Sequence, residues 1–124
     1  MSAKFLKNWT LFLAALLISL VVHAKGPNSI GVVAIQDLPK EARHTLMLIK
    51  KGGPFPYSKD GTVFRNYEGL LPKQKRGYYH EFTVKTPRAR NRGARRIVTG
   101  GEPASSGEYY YTDDHYATFR RIKE

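Results

Sequence analysis

The chain has 124 residues, enough for one compact domain, and sets 21 Lys and Arg against 10 Asp and Glu for a net charge of +11. It contains no cysteine, which excludes a disulfide framework, and its four histidines are scattered, which argues against a structural zinc site. A balance this basic attracts nucleic acid, anionic membrane or acidic protein, and charge alone does not choose among them.

The first segment reads as an address. Lys4 and Lys7 precede an apolar run from Trp9 to Val22 broken only by Thr10 and Ser19, and Val22-His23-Ala24 offers small or apolar residues at the two positions a signal peptidase inspects. The run is shorter than the ~20 residues of a spanning helix. The expectation is a signal peptide over 1–24, cleaved after Ala24, and a secreted domain over 25–124 with no stable membrane association. Loss of Lys4 and Lys7 leaves 19 basic and 10 acidic residues, a charge of +9.

Ile30 to Ile35 is an apolar patch closing a short leader. Asp37 is then suited to cap a helix with Pro39 and Glu41 in its first turn. Leu38, Ala42, Leu46 and Ile49 fall on one face, Lys50 and Lys51 suit the C-terminal end, and Gly52-Gly53-Pro54 stops the helix. Beyond Pro54 the helical period is replaced by short aromatic and β-branched runs at 62–64, 78–84, 95–99, 109–112 and 116–120. Turn formers separate them: Asp60-Gly61, Pro87, Gly100-Gly101, Ser105-Ser106-Gly107 and Asp113-Asp114. This pattern predicts an α+β fold, one amphipathic helix packed on a twisted antiparallel sheet of about five strands.

Between Phe82 and Gly101 there is no acidic residue, yet there are Lys85, Arg88, Arg90, Arg92, Arg95 and Arg96. Such a tract calls for an anion, and phosphate fits guanidinium groups well. The strand feeding it carries one carboxylate, Glu81. Strand alternation assigns Phe82 and Val84 to the core and turns Glu81 the other way with Tyr79 and Thr83. His80 shares the Phe82 face and is read as packed or hydrogen-bonded. In the next strand Arg95 and Ile97 oppose Arg96 and Val98, and parity does not say which pair meets the core. Beside bound phosphate a carboxylate repels its ligand, so Glu81 makes sense as a base; as a mere ion-pair partner of the arginines it is equally consistent with composition.

Gly53-Pro54-Phe55-Pro56-Tyr57, Asp60-Gly61-Thr62-Val63-Phe64, Gly77-Tyr78-Tyr79-His80-Glu81, Arg92-Gly93-Ala94-Arg95-Arg96-Ile97 and Asp114-His115-Tyr116-Ala117-Thr118-Phe119 occur in this order at close spacing. Across Leu38 to Ile122 the chain resembles the secreted bacterial guanyl-specific ribonucleases, the group related to barnase. The resemblance implies the microbial ribonuclease fold and cleavage of single-stranded RNA on the 3′ side of guanosine, through a 2′,3′-cyclic phosphate, without a metal or other cofactor. By position it implies Glu81 as general base, His115 as general acid, and Arg92 and Arg96 as the phosphate grip. It implies Phe64, Arg65, Asn66, Tyr67 and Glu68 as the guanine-recognition loop, with Tyr116 beside the phosphate. It also implies a small acidic, barstar-like inhibitor protein as a possible partner. Nothing in the sequence demands more than a monomer, which is the expectation. The disulfide that near members often carry is absent from this chain.

The chemistry is self-consistent. RNA supplies its own nucleophile, the 2′-hydroxyl, so a carboxylate to remove that proton and an imidazolium to protonate the leaving 5′-oxygen suffice. Two other readings fit the charge. A non-catalytic RNA-binding protein would bind RNA without consuming it. A membrane-disrupting protein would need a free cationic amphipathic surface, whereas the one clear amphipathic helix has its apolar face committed to the core.

Overall fold

The computed structural model describes residues 30–124, so the expected signal peptide and the start of the expected domain lie outside the described residues. Strands β1 (Gly31–Ala34), β2 (Thr62–Phe64), β3 (Tyr79–Thr83), β4 (Arg96–Gly100), β5 (Tyr109–Thr112) and β6 (Arg120–Lys123) form one sheet in the order β1-β6-β5-β4-β3-β2. Helix α1 (Lys40–Lys51) lies on one face. The α+β expectation holds, with six strands rather than about five.

The additional strand comes from the leader. Gly31–Ala34 pairs in parallel with Arg120–Lys123, whereas every other pairing is antiparallel. Val33 meets Ile122 in that register and both are buried.

The last predicted strand is displaced. Residues 116–120 were expected to be extended, but the strand starts only at Arg120. His115 and Tyr116 take left-handed backbone angles, φ 54° and 73°, which no strand accommodates. Asp114 holds that turn. Its carboxylate accepts the Thr112 hydroxyl at 2.8 Å, the Thr118 N–H at 2.9 Å and the Thr118 hydroxyl at 2.6 Å.

Asp37 is not the helix cap. It ends a 3-10 turn, Ile35–Asp37, and makes no side-chain capping bond. The reason is Pro39: a residue before proline is driven out of the α region, and Leu38 is extended at φ −74°, ψ 151°. The helix therefore begins at Lys40. Its other end is as expected, with Gly52 at φ 83° and the N–H groups of Gly52 and Gly53 closing on the Ile49 and Leu48 carbonyls.

Two apolar clusters sandwich the sheet. Leu38, Ala42, Leu46 and Ile49 pack on Phe82, Val84, Ile97, Tyr109, Tyr111 and Ile122. On the opposite face Tyr79, Val98, Tyr110, Phe119 and Leu71 form a second cluster, edged by Phe64 and Tyr116. Tyr109, Tyr110 and Tyr111 thus alternate between two cores. β4 is settled by the same rule: Ile97 meets the helix, while Arg96 and Val98 face away from it. Arg95 follows the Ile97 side and lies 3.9 Å from Glu41 of the helix.

Burial pushes the Tyr79 phenol up to about 12, and burial likewise raises Tyr109, Tyr110 and Tyr111. These groups titrate near ~10 when unfolded, so their contribution to stability is intact below that value and is lost as pH rises through the folded values. Denaturant midpoints should accordingly hold up to about pH 10 and fall steeply above it, with the buried phenols ionising together with unfolding. Full tyrosine ionisation while the fold persists would contradict the burial described here.

Candidate active site

β3 places Glu81 on the face away from the helix, between its same-face neighbours Tyr79 and Thr83. Its carboxylate is half-buried and held from two sides. Arg92 Nη2 donates to Oε1 at 2.7 Å, and the Tyr116 hydroxyl donates to Oε2 at 2.8 Å. Arg92 is itself fixed by Thr83, whose hydroxyl oxygen accepts from Nε at 3.1 Å and from Nη2 at 2.9 Å. Thr83 in turn donates its backbone N–H to Asp60 at 2.7 Å.

Arg96 enters from β4 and is almost fully buried, at 3% exposure. Its Nη1 donates to the Gly93 and Arg95 carbonyls at 2.9 and 2.7 Å, and its guanidinium lies 5.9 Å from the Tyr116 ring centroid. The Nε is buried and has no hydrogen-bond partner among the described residues. One donor of this buried cation is thus left unspent among the described residues. The loop that supplies the two carbonyls is tight: a Cβ on Gly93, at φ 70°, would come within 2.4 Å of the Thr86 hydroxyl.

His115 stands on the turn that Asp114 organises, and its N–H is tied to the Ala94 carbonyl at 2.9 Å. Its exposed imidazole tilts against the Tyr116 ring, 4.9 Å between centroids. Tyr116 therefore links two titratable side chains, the Glu81 carboxylate through its hydroxyl and the His115 imidazole through its ring. Burial, with the Glu81 hydrogen bond next, pushes its phenol up to about 12, so it stays a donor near neutrality.

Glu81, His115 and Tyr116 line one cleft of about 600 Å³ together with Phe64, Arg65, Asn66, Tyr67 and Glu68. Arg92 and Arg96 are outside that lining and join it through Glu81 and Tyr116. Phe64 is an anchor, packed at 5.0 Å on Tyr116 and 5.8 Å on Phe119. Asn66 shapes the loop from within. At φ 55°, its amide donates to the Leu71 carbonyl and accepts the Leu71 N–H. Arg65 donates to the Tyr67 hydroxyl at 2.5 Å and lies over that ring, which is 81% exposed. Glu68 is exposed at the loop crest. His80 faces the other way and takes no part; its Nδ1 is buried and, among the described residues, without a hydrogen-bond partner.

A family model described as ribonuclease matches residues 23–123. The chain belongs to the ribonuclease family. It is 59% identical to guanyl-specific ribonuclease St of Saccharopolyspora erythraea over 88 residues, which is 71% of this chain and 83% of that relative. It is 57% identical to guanyl-specific ribonuclease Sa of Kitasatospora aureofaciens over 94 residues, 76% of this chain and 95% of the relative. Among solved structures, ribonuclease Sa2 in complexes with mononucleotides superposes with a TM-score of 0.74 at 50% identity, covering 79% of this chain and 98% of that one. Ribonuclease Sa2 with guanosine-2'-cyclophosphate superposes with a TM-score of 0.70 at 52% identity, covering 77% and 97%.

Within this ribonuclease fold, sequence reasoning missed the supports. Thr83 was placed on the Glu81 face but given no task. The Asp114 turn was read as a plain strand boundary. An Asp followed four residues later by Thr, with a Thr two residues before it, is the signal that was available.

The Thr118 hydroxyl, and then further hydrogen bonds, lower the Asp114 carboxyl from its ordinary value. The stabilisation from a depressed carboxyl is present above the unfolded value and disappears as pH falls through the folded one. Asp114→Asn should thus be less stable than the parent at neutral pH, with the gap closing in strong acid. Urea unfolding at several pH values measures it, and a gap independent of pH would refute the assignment.

Proposed function

We propose that this protein is an endoribonuclease that cleaves single-stranded RNA on the 3′ side of guanosine. The observation that carries the reading is the half-buried Glu81 carboxylate, gripped by Arg92 and Tyr116 on the wall of a cleft shared with His115. Support comes from the guanyl-specific ribonucleases it matches and from ribonuclease Sa2 bound to guanosine-2'-cyclophosphate and to 3'-GMP.

In this reading Glu81 takes the proton of the 2′-hydroxyl, the 2′-oxygen attacks phosphorus, and the bond to the 5′-oxygen breaks. His115 supplies the proton that oxygen needs, leaving a 2′,3′-cyclic phosphate and a free 5′-hydroxyl. In the second step His115, now neutral, takes a proton from water, the water oxygen attacks phosphorus, the bond to the 2′-oxygen breaks, and protonated Glu81 returns its proton to that oxygen, giving the 3′-phosphate. Both protons are carried by side chains, so neither step calls for a metal. Arg92 and Arg96 offset charge on the phosphoryl oxygens. The Arg92–Glu81 contact is then a resting arrangement, and Arg92 can turn part of its fork to phosphate while Thr83 holds the rest.

Guanine presents N1–H and its exocyclic amine as two parallel donors, which a carboxylate accepts together. Glu68 is the carboxylate of the loop, and Tyr67 or Phe64 supplies a face for stacking. The N-terminal segment is proposed as a cleaved export signal, and exported material should begin at Lys25. The cationic pair Arg92 and Arg96 is also what a small acidic inhibitor would engage, and salt would slow such association.

Incubation with defined oligoribonucleotides in excess chelator should leave cyclic phosphate after guanosine, and Glu81→Gln should lose ~10²- to 10⁴-fold in rate. The rate should follow a bell in pH, since base and acid must be in opposite protonation states. Products ending after other bases, or a rate rising continuously into alkali, would contradict the reading. Glu68→Gln should cut the preference for guanosine in a dinucleoside-phosphate panel while some cleavage persists; unchanged preference removes Glu68 from this role.

A further inference from the structure

Three cations of the loop between β2 and β3 have no part in the chemistry above. Lys73, Lys75 and Arg76 are exposed, and among the described residues none of them forms an ion pair. With Arg65 they line a second cleft of about 550 Å³, whose lining contains no aspartate or glutamate. Solvated faces usually intersperse the two signs, whereas the segment from Leu70 to His80 has no acid at all. Like charges gathered in one concavity repel one another and draw in an anion.

The position of this cleft decides which anion. It shares Phe64, Arg65, Asn66 and Tyr67 with the first cleft but excludes Glu81, His115 and Tyr116. The two clefts are thus two sides of one loop. The first contains Glu81, which pairs with Thr62; the second contains Tyr79, which pairs with Phe64. That is a displacement of two strand residues, ~6.6 Å, away from the proton carriers. With the scissile phosphate at Glu81 and the base at Glu68, the leaving nucleotide departs on the His115 side. The 3′ and 5′ oxygens leave a ribose in different directions, so in this reading the strand 5′ of the guanosine runs away from the His115 side and has the second cleft before it.

We propose that Arg65, Lys73, Lys75 and Arg76 form a binding track for the RNA backbone upstream of the cleaved guanosine. The track holds phosphates on the 5′ side and makes the enzyme favour guanosines within a chain over those at a 5′ end. This inference rests on the nuclease reading. Ammonium and guanidinium groups grip phosphate without reading sequence, which suits a position beyond the recognised base. Tyr67, exposed and lining both clefts, offers a stacking face where the strand crosses from one to the other.

The test compares cleavage of a guanosine-containing dinucleoside phosphate, an oligoribonucleotide extended only 5′ of its single guanosine, and one extended only 3′. The triple variant Lys73→Ala/Lys75→Ala/Arg76→Ala should match the parent on the dinucleoside, which also reports an intact fold, and on the 3′-extended strand. On the 5′-extended strand it should lose about ten-fold in kcat/KM, with the salt slope reduced by ~0.7 for each phosphate contact removed. Equal losses on both extended strands would reduce the cations to general attraction and overturn the proposal, as would no loss on either. Loss on the dinucleoside itself would overturn it too. A parent protein that cleaves none of the three would sink the nuclease reading, and the track with it.

Discussion

The two-residue period of β3 is the constraint on which both the core and the site depend. Phe82 and Val84 must face the helix because α1 has nowhere else to bury Ala42, Leu46 and Ile49. Once they do, Glu81 and Thr83 necessarily face the other way. A slip of one residue would exchange the carboxylate for an aromatic ring and send a charge into the apolar cluster. The register with β4 carries the same discipline onward, setting Arg96 opposite Thr83 and Ile97 opposite Phe82. Core packing therefore fixes the direction in which the Glu81 carboxylate leaves the strand, and Arg92 and Tyr116 hold it there.

Around that carboxylate, the basic tract divides its labour by depth. Arg92 and Arg96 reach the site face, one through Thr83 and Glu81 and the other through backbone carbonyls. Arg95 belongs to the helix face and lies near Glu41. Lys85, Arg88 and Arg90 are exposed. A run that looks uniform in sequence is thus three populations in space. The buried Arg96 is costly to desolvate and is offset by two carbonyl bonds and an aromatic ring, which pre-orients it without neutralising it.

Much of this was legible in the chain because its signals are local. The helix C-terminus is written in Gly52-Gly53, two strands match residue for residue, and the parity of β3 follows from Phe82 and Val84. What failed was non-local or conformational. Gly31–Ala34 is a strand only because Arg120–Lys123 lies beside it, and Arg-Arg-Ile-Lys has no alternation of its own to announce one. Tyr116 to Phe119 reads as β-prone, yet Asp114 draws Thr118 back and bends the segment into a turn. Asp37 was a sound cap by residue type and was displaced by a steric rule acting through Leu38. Assignment of roles to His115 and the recognition loop came from family resemblance, since single-sequence patterns do not bring residues 64–68, 81 and 115 together.

The parallel pairing of β1 with β6 has a kinetic meaning. Gly31 pairs with Arg120, so β1 and β6 are neighbours in the sheet although all of the other strands lie between them in the chain. Such a contact returns nothing until a long loop has been closed, so β1 docks on an edge that the antiparallel strands have already built. The sheet is thereby sealed on the β6 side by the strand whose partner is most remote in sequence.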